Sequence, residues 1–306
     1  MYCIYCGSKD VVKAGKRYNK YVTKQLYKCN TCKRRFVEHD GFENMTYPKD
    51  IVAKVLHLYT EGLSLSKVRE YVWQHEGYYL YDGTILYWVK KYAHLLSKFE
   101  EKLKPRLKGR IHTDETCAKV KGKNHYSINS IGSKTKYNIA TTFTEHRTKE
   151  KCKEHFGKIW KKIGEQVEEV WKNEKDKPPE KRKLVTFVSD KFENYRNGFN
   201  YYFYRHAKLI FGVPIAYKKY DGLRHNNNAI ERHNEDFKQR YKVMRGFKSS
   251  ESAECFTELR RITYNFVRTH QGIKRTPAEK AGLNLDLGRN RLLNLIFFVL
   301  LSYAII

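Results

Sequence analysis

The sequence predicts an α/β protein, a mixed sheet with flanking helices, preceded by two small N-terminal modules. Three observations carry this expectation. Residues 1–42 hold two Cys-x-x-Cys pairs joined by a stretch that alternates bulky and basic residues. Residues 46–97 change to helical periodicity in three short runs. From residue 110 the runs read strand, strand, strand, helix, strand, helix, strand, helix, the pattern of a sheet covered by helices. A chain of 306 residues suits one large domain with small attachments.

The first module contains CIYC at Cys3–Cys6 and CNTC at Cys29–Cys32. Two such knuckles place four thiolates around one tetrahedral Zn²⁺, so a zinc ribbon is expected over 1–42. A segment this small lacks a core, and metal binding supplies its folding free energy. The remaining cysteines, Cys117, Cys152 and Cys255, are scattered and read as small buried apolar side chains.

The second module opens with PKDIVAKVLHLYTEG, which puts Ile51, Val52, Val55, Leu56 and Tyr59 on one face, between Pro48 at the start and Gly62 as the stop. LSLSKVREYVWQH restarts after a serine cap, and DGTILYWVKKYAHLL, residues 82–96, turns Ile85, Trp88, Val89 and Leu96 inward. Three short helices with a tight turn between the first two predict a helix-turn-helix over 46–97, its last helix offered to a DNA major groove. Thr84, Tyr87, Lys90, Lys91 and His94 are the residues on that helix expected to touch DNA.

A net charge of +28, a pI near 9.7, 24 Tyr and 16 Phe point to a polyanionic partner, double-stranded DNA first. MYCIYCGSKD lacks the features of a secretory signal, which places the expected site of action in the cytoplasm, at the nucleoid. The apolar run LIFFVLLSYAII at 295–306 is shorter than the roughly 20 residues of a spanning helix. No membrane partner is expected. The tail from 286 to 306 has three readings: a buried terminal segment, a contact with another subunit, or an out-of-frame extension.

After a charged connector at 98–109, IHTDETCAKVKG, HYSINSIG and KYNIATTFTEHR read as strands, the last two as a hairpin around Ser133 and Lys134. An amphipathic helix covers 148–172, LVTFVSD at 184–190 is a buried strand, FENYRNGFNYYFYRH is helical, AKLIFGVP is a short strand, and the pattern from Asn228 to about His270 is helical. Asp114 and Asp190 stand out because both sit in or at the end of core strands. Strand ends are where α/β sheets gather their sites, and neighbouring buried carboxylates stay protonated unless a cation neutralises them. Two Mg²⁺ ions on oxygen ligands suit phosphoryl displacement. A third carboxylate has to come from another element, and NNNAIE offers Glu231. Asn228 with Glu231 three residues on also reads as a capping box. Glu235 lies one turn further on the same face, so spacing within the helix leaves Glu231 and Glu235 open. Arg232, Lys238, Arg240, Lys242, Arg245 and Lys248 are candidates for DNA phosphates, and His112 reads as a packing residue.

HTDET followed by KVKGKNHY, then VSDKFENY, NNNAIERHNEDFKQRYKVMRGFKS and YNFVRTHQGIKRTPAEKAGL occur in this order between about residues 110 and 283. Together they resemble the DDE transposases of bacterial and archaeal insertion sequences, most closely the group named after insertion sequence six. The resemblance implies a ribonuclease-H-like, integrase-like catalytic core over 110–285, with Asp114, Asp190 and Glu231 as a triad holding two Mg²⁺ or Mn²⁺ ions. It implies binding of inverted-repeat ends, strand cleavage and 3′-hydroxyl strand transfer into target DNA. Pairing two ends calls for a homodimer or larger oligomer. The alternative is an inactive relic that only binds DNA through its N-terminal modules.

Overall fold

The computed structural model describes residues 1–38, 40–42, 45–212 and 227–304. The N-terminal sheet is antiparallel, order β1-β2-β3, from β1 (Val11–Tyr18), β2 (Thr23–Cys29) and β3 (Arg35–Val37). Its buried apolar cluster is small, Cys3, Cys29 and Phe36, as the sequence of a module without a core requires. The three helices α1 (Lys49–Thr60), α2 (Leu65–Glu76) and α3 (Asp82–Glu100) follow. Every residue assigned inward on α1 and α3 is buried, and Ser64 caps α2 by accepting from the Lys67 N–H. Gly62, at φ +96°, ends the α1 turn where a Cβ would stand 2.8 Å from the Arg240 backbone, so only glycine permits that approach.

The large sheet has the order β6-β5-β4-β7-β8, built from β4 (Ile111–Val120), β5 (Lys123–Gly132), β6 (Asn138–Thr144), β7 (Val185–Ser189) and β8 (Ala207–Phe211). The first three strands form an antiparallel meander, and β7 and β8 add in parallel on the β4 edge. This is the expected ribonuclease-H-like mixed sheet. The strand read as AKLIFGVP is described as far as Gly212, and its last two residues lie outside the described residues. One face of the sheet is covered by α4 (Lys149–Glu174) and α5 (Glu193–Phe203), whose Phe156, Phe199 and Phe203 close over Phe187 of β7. The other face carries α6 (Asn228–Val243) and α7 (Ser250–Phe266). A short α8 (Pro277–Lys280) opens on a capping box made by Thr276 and Glu279, and α9 (Arg291–Ala304) ends the described chain.

Three expectations are corrected, and of the three readings left open for the tail the first is the one observed. The helical stretch from 228 to 270 is two helices, broken where Arg245 and Gly246 take positive φ and Phe247 bridges back to Lys119 and Lys121 of the β4–β5 hairpin. The connector at 98–109 begins inside α3, and its remainder is held to the core, the Leu107 N–H donating to Gln166 and the Arg106 N–H to the Ala281 carbonyl. The capping box at Asn228 does not form, because α6 starts one residue earlier with Asn227 as its N-cap, without a side-chain cap. The apolar tail is a buried terminal segment: Leu292, Leu295, Ile296 and Val299 are buried, and Phe297 and Phe298 meet Phe42 and Phe99. No helix among the described residues is long and apolar enough to cross a membrane.

A buried ionic node ties the modules together. Glu100, at the end of α3 and 1 % exposed, takes Lys162 of α4 at 2.6 Å, Arg261 of α7 at 2.8 Å and the Tyr137 hydroxyl. Burial pushes the Glu100 carboxyl up, but the Arg261 and Lys162 charges outweigh it and hold it down to about 2. Arg261 also pairs with Glu258 of α7 at 2.8 Å, and burial brings the Lys162 ammonium down to about 8. Removing one partner of such a network leaves a buried charge unpaired. Glu100→Ala is therefore expected to lower unfolding free energy by about 3–5 kcal/mol in denaturant titration, whereas Glu101→Gln on the exposed side stays within about 0.5 kcal/mol. Because the folded carboxyl lies below its unfolded value, the Glu100 contribution is complete above about pH 4.3 and fades as pH falls toward 2.

Candidate active site

The parallel pairing of β4 with β7 sets the geometry of the site. The ladder matches Ile111 with Phe187 and His112 with Val188. Carried forward two residues, the same register brings Asp190, just past the end of β7, alongside Asp114. His112 and Asp114 point to the face covered by α6, since side chains alternate along a strand. Asp114, Glu115 and Asp190 offer carboxylate oxygens that all lie within 4.8 Å of one another. Burial, then the charges of Glu115 and Asp190, push the Asp114 carboxyl up to about 7, against an opposing hydrogen bond from Asn234.

Glu115, which the sequence reading missed, belongs to the opposite face. Its carboxylate takes the Arg147 guanidinium and the Tyr195 hydroxyl of α5, and Arg147 lies over the rings of Tyr126 and Phe192. It is already neutralised by fixed partners. Its position next to Asp114 in HTDET was the available signal.

Helix α6 runs along β4 in the same direction, with contacts from Asn227 to His112, from Asn234 to Asp114 and from Tyr241 to Lys119. Asn234 is 3 % exposed and donates to Asp114 Oδ2 at 3.1 Å and to the Glu115 carbonyl at 3.2 Å. At 3.6 residues per turn, Glu231 lies about 60° from Asn234 around the helix, and Glu235 about 100° away on the same side. Glu231 is exposed and stands outside the 4.8 Å carboxylate group. Asn227 Oδ1 is 3.0 Å from His112 Nδ1, so the residue that opens the helix spends its side chain on β4 and leaves Glu231 free of a capping role. Asp236 is turned to arginines instead, pairing with Arg240 at 3.0 Å, Arg268 at 2.7 Å and Arg260.

The residues expected to touch DNA divide into two groups. Arg232, Lys238, Lys242, Arg245 and Lys248 are exposed on or just after α6, whereas Arg240 is engaged by Glu61 and Asp236. On α3, Thr84 is half-buried, and Tyr87, Lys90, Lys91 and His94 line a cavity of about 810 Å³ whose opposite wall is Glu251, Glu254 and Glu258 of α7. Lys90 pairs with Glu251, and Lys91 donates to the Gly41 carbonyl at 2.7 Å. The basic face of α3 thus stands beside a row of acids on α7, with Tyr87, Lys90 and His94 exposed.

Far from the carboxylates, Cys3, Cys6, Cys29 and Cys32 gather their sulfurs within 4.8 Å, Cys3 to Cys32 at 3.5 Å and Cys6 to Cys29 at 3.6 Å. Four thiolates about 2.3 Å from a tetrahedral Zn²⁺ stand about 3.8 Å apart, so the cluster fits a zinc ribbon. The Cys32 N–H points at Cys29 Sγ, and this backbone contact leads in bringing that thiol down to about 6.

A family model described as a DDE domain, of the IS240 transposase type, matches residues 108–270, over half of the chain. A second, described as the transposase IS66 family, matches residues 45–164. No curated protein matches. Among solved structures, the HTLV-2 integrase catalytic core domain in complex with magnesium, in a trimeric form, is 9 % identical with a TM-score of 0.31, covering 58 % of this chain and 97 % of that one. The simian T-cell lymphotropic virus intasome in complex with the PP2A regulatory subunit B56 gamma is 9 % identical with a TM-score of 0.36, covering 75 % and 74 %. With a matching family model spanning both strand-borne aspartates and Glu231, the chain belongs to the DDE-type transposases of insertion sequences.

Proposed function

We propose that the protein binds the inverted-repeat ends of an insertion sequence, cuts the DNA strand there, and joins the freed 3′-hydroxyl to target DNA, working as a homodimer or larger assembly. One observation carries the reading: parallel pairing sets Asp190 beside Asp114 on the face where α6, fastened to Asp114 through Asn234, carries Glu231. Asp114, Asp190 and Glu231 form the ligand set. Their donors are all carboxylate oxygens, which suit hard divalent cations such as Mg²⁺ or Mn²⁺, and the proton retained by Asp114 marks where positive charge is wanted. Two such ions would supply an activated attacking oxygen and a stabilised leaving oxygen for in-line displacement.

The chain's own groups do the positioning. Asn234 holds Asp114 by one oxygen, and Arg147 with Tyr195 keep Glu115 turned to the other face. Glu231, about 60° around the helix from Asn234, is closer in phase to Asp114 than Glu235 and takes the third position. The exposed cations Arg232, Lys238, Arg245 and Lys248 give the DNA backbone its counter-charge. The four cysteines hold one structural Zn²⁺, and the ribbon with the helix-turn-helix recognises the ends.

In a strand-transfer assay with Mg²⁺ on end-containing DNA, Asp190→Asn and Glu231→Gln are each expected to lower joining by 10³-fold or more, on the scale of a lost catalytic group, while Glu235→Gln stays within a few-fold. Equal loss in Glu235→Gln and retention in Glu231→Gln would reverse the assignment within α6. The raised Asp114 carboxyl has a thermal signature as well. In the cation-free protein the folded state keeps a proton that the unfolded chain releases near pH 3.9, so stability falls as pH rises from there to about 7. Mg²⁺ competes with that proton, and its stabilisation of the melting temperature is expected to be larger at pH 8 than at pH 5. Finally, Cys29→Ser is expected to lose bound zinc and specific end binding while the melting of the large sheet is retained.

A further inference from the structure

On the far flank of α6 from Glu231 lies a second concave site, about 500 Å³, with His112 and His233 at its floor and Lys136, Arg232, Arg268 and His270 around it. No acidic side chain pairs with Lys136 or Arg232 among the described residues, and the single carboxylate on the wall, Asp236, is shared among three arginines. The cavity therefore carries surplus positive charge. His233 is 7 % exposed, and its Nε2 is 2.9 Å from the Asn138 side-chain nitrogen, which can only donate. Its Nδ1 must then hold the proton, and that donor is buried without a partner. A buried donor left unmade costs about 1–3 kcal/mol, so its presence in a cationic cavity marks a place for an acceptor anion. The ring of Tyr264, in edge contact with His233 at 4.6 Å, forms an apolar wall beside it.

Both floor residues connect to the carboxylates. His233 precedes Asn234, the residue bonded to Asp114, and His112 is two positions before Asp114 on the same face of β4, about 6.6 Å along the strand. That separation is close to the spacing of adjacent phosphates on one extended nucleic-acid strand. We propose that this cavity binds a DNA phosphodiester next to the reacting one, gripped by Lys136, Arg232 and the His233 Nδ1–H, so that the strand is held in register over Asp114 and Asp190. The proposal rests on the transposase reading and specifies how its substrate is held.

The test uses the full-length, zinc-loaded protein with no added divalent ion, and a six-nucleotide single-stranded oligothymidylate read by fluorescence anisotropy. Lys136→Gln/Arg232→Gln is expected to weaken binding at least tenfold and to flatten the log–log salt slope by about 1.4, from two cations at about 0.7 each on a single strand. Neutral methylphosphonate placed at one linkage at a time is expected to weaken wild type at a particular linkage and to have little further effect on the double variant. Unchanged affinity in the variant, or equal sensitivity to every linkage in both proteins, overturns the proposal. So does inorganic phosphate that binds wild type and not the double variant yet leaves oligonucleotide affinity unchanged, which would make the cavity a site for free phosphate. Lys136→Gln alone, expected to show half the slope change, replaces the double variant where that fails to fold. Since no chemistry is involved, this result and the loss of joining in Asp190→Asn stand or fall separately.

Discussion

The parallel alignment of β4 with β7 is the constraint on which the rest depends. These strands are 65 residues apart in sequence and pair over only two residues in strict ladder register. A slip by one position would send the end of β7 to the other face of the sheet. The alignment is fixed from one side by aromatic packing, Phe187 under Phe156, Phe199 and Phe203, and from the other by β8, which pairs with β7 along its full length. Apolar packing on one face thus determines the electrostatics on the other. Two acids that repel each other are held together by groups that touch neither.

The second organising element is α7, which packs against α1, α3, β6, α8 and α9. Its Arg261 enters the Glu100 node, its Arg260 holds Asp236 of α6, and its acids face the basic side of α3. Helix α9 fills the remaining space, placing Phe297 against Phe42 and Phe298 against Phe99. The helical module is consequently packed onto the large sheet by buried charge and buried apolar area together. A hinge at 98–109, as a charged connector suggests, is replaced by a helix end with its terminal carboxylate locked in the interior.

Much of this was legible in the sequence, and the reasons are physical. Strand-like runs bounded by turn residues exposed β4 to β6, a continuous apolar run exposed β7, and the Cys-x-x-Cys spacing with bulky–basic alternation exposed the ribbon. Asp114 and Asp190 could be singled out because acids at the ends of such strands have few other uses. The remainder depended on partners distant in the chain. Asn227 replaced Asn228 as the cap because its side chain is drawn to His112, 115 positions away. Glu231 and Glu235 could not be separated by local spacing, since the reference point is Asn234, whose contact with Asp114 is a tertiary one. Glu100 reads as one more charge in KFEEKLK until Lys162 and Arg261 are seen around it. The direction in which α3 faces was likewise invisible, because Glu251, Glu254 and Glu258 lie in a helix that sequence alone assigns to a different part of the protein.

The aromatic seal on one side of the sheet also dictates traffic. Among the described residues, α4 and α5 close over that face with Glu115 clamped beneath them, while Asp114 faces α6 and Asp190 is exposed. For the joining reaction proposed, the DNA to be cut and the DNA to be joined have to use the same doorway. On that proposal the two substrates would meet above one rim of the protein, and the order in which they arrive would be a matter of which yields room there, a problem of queueing more than of affinity.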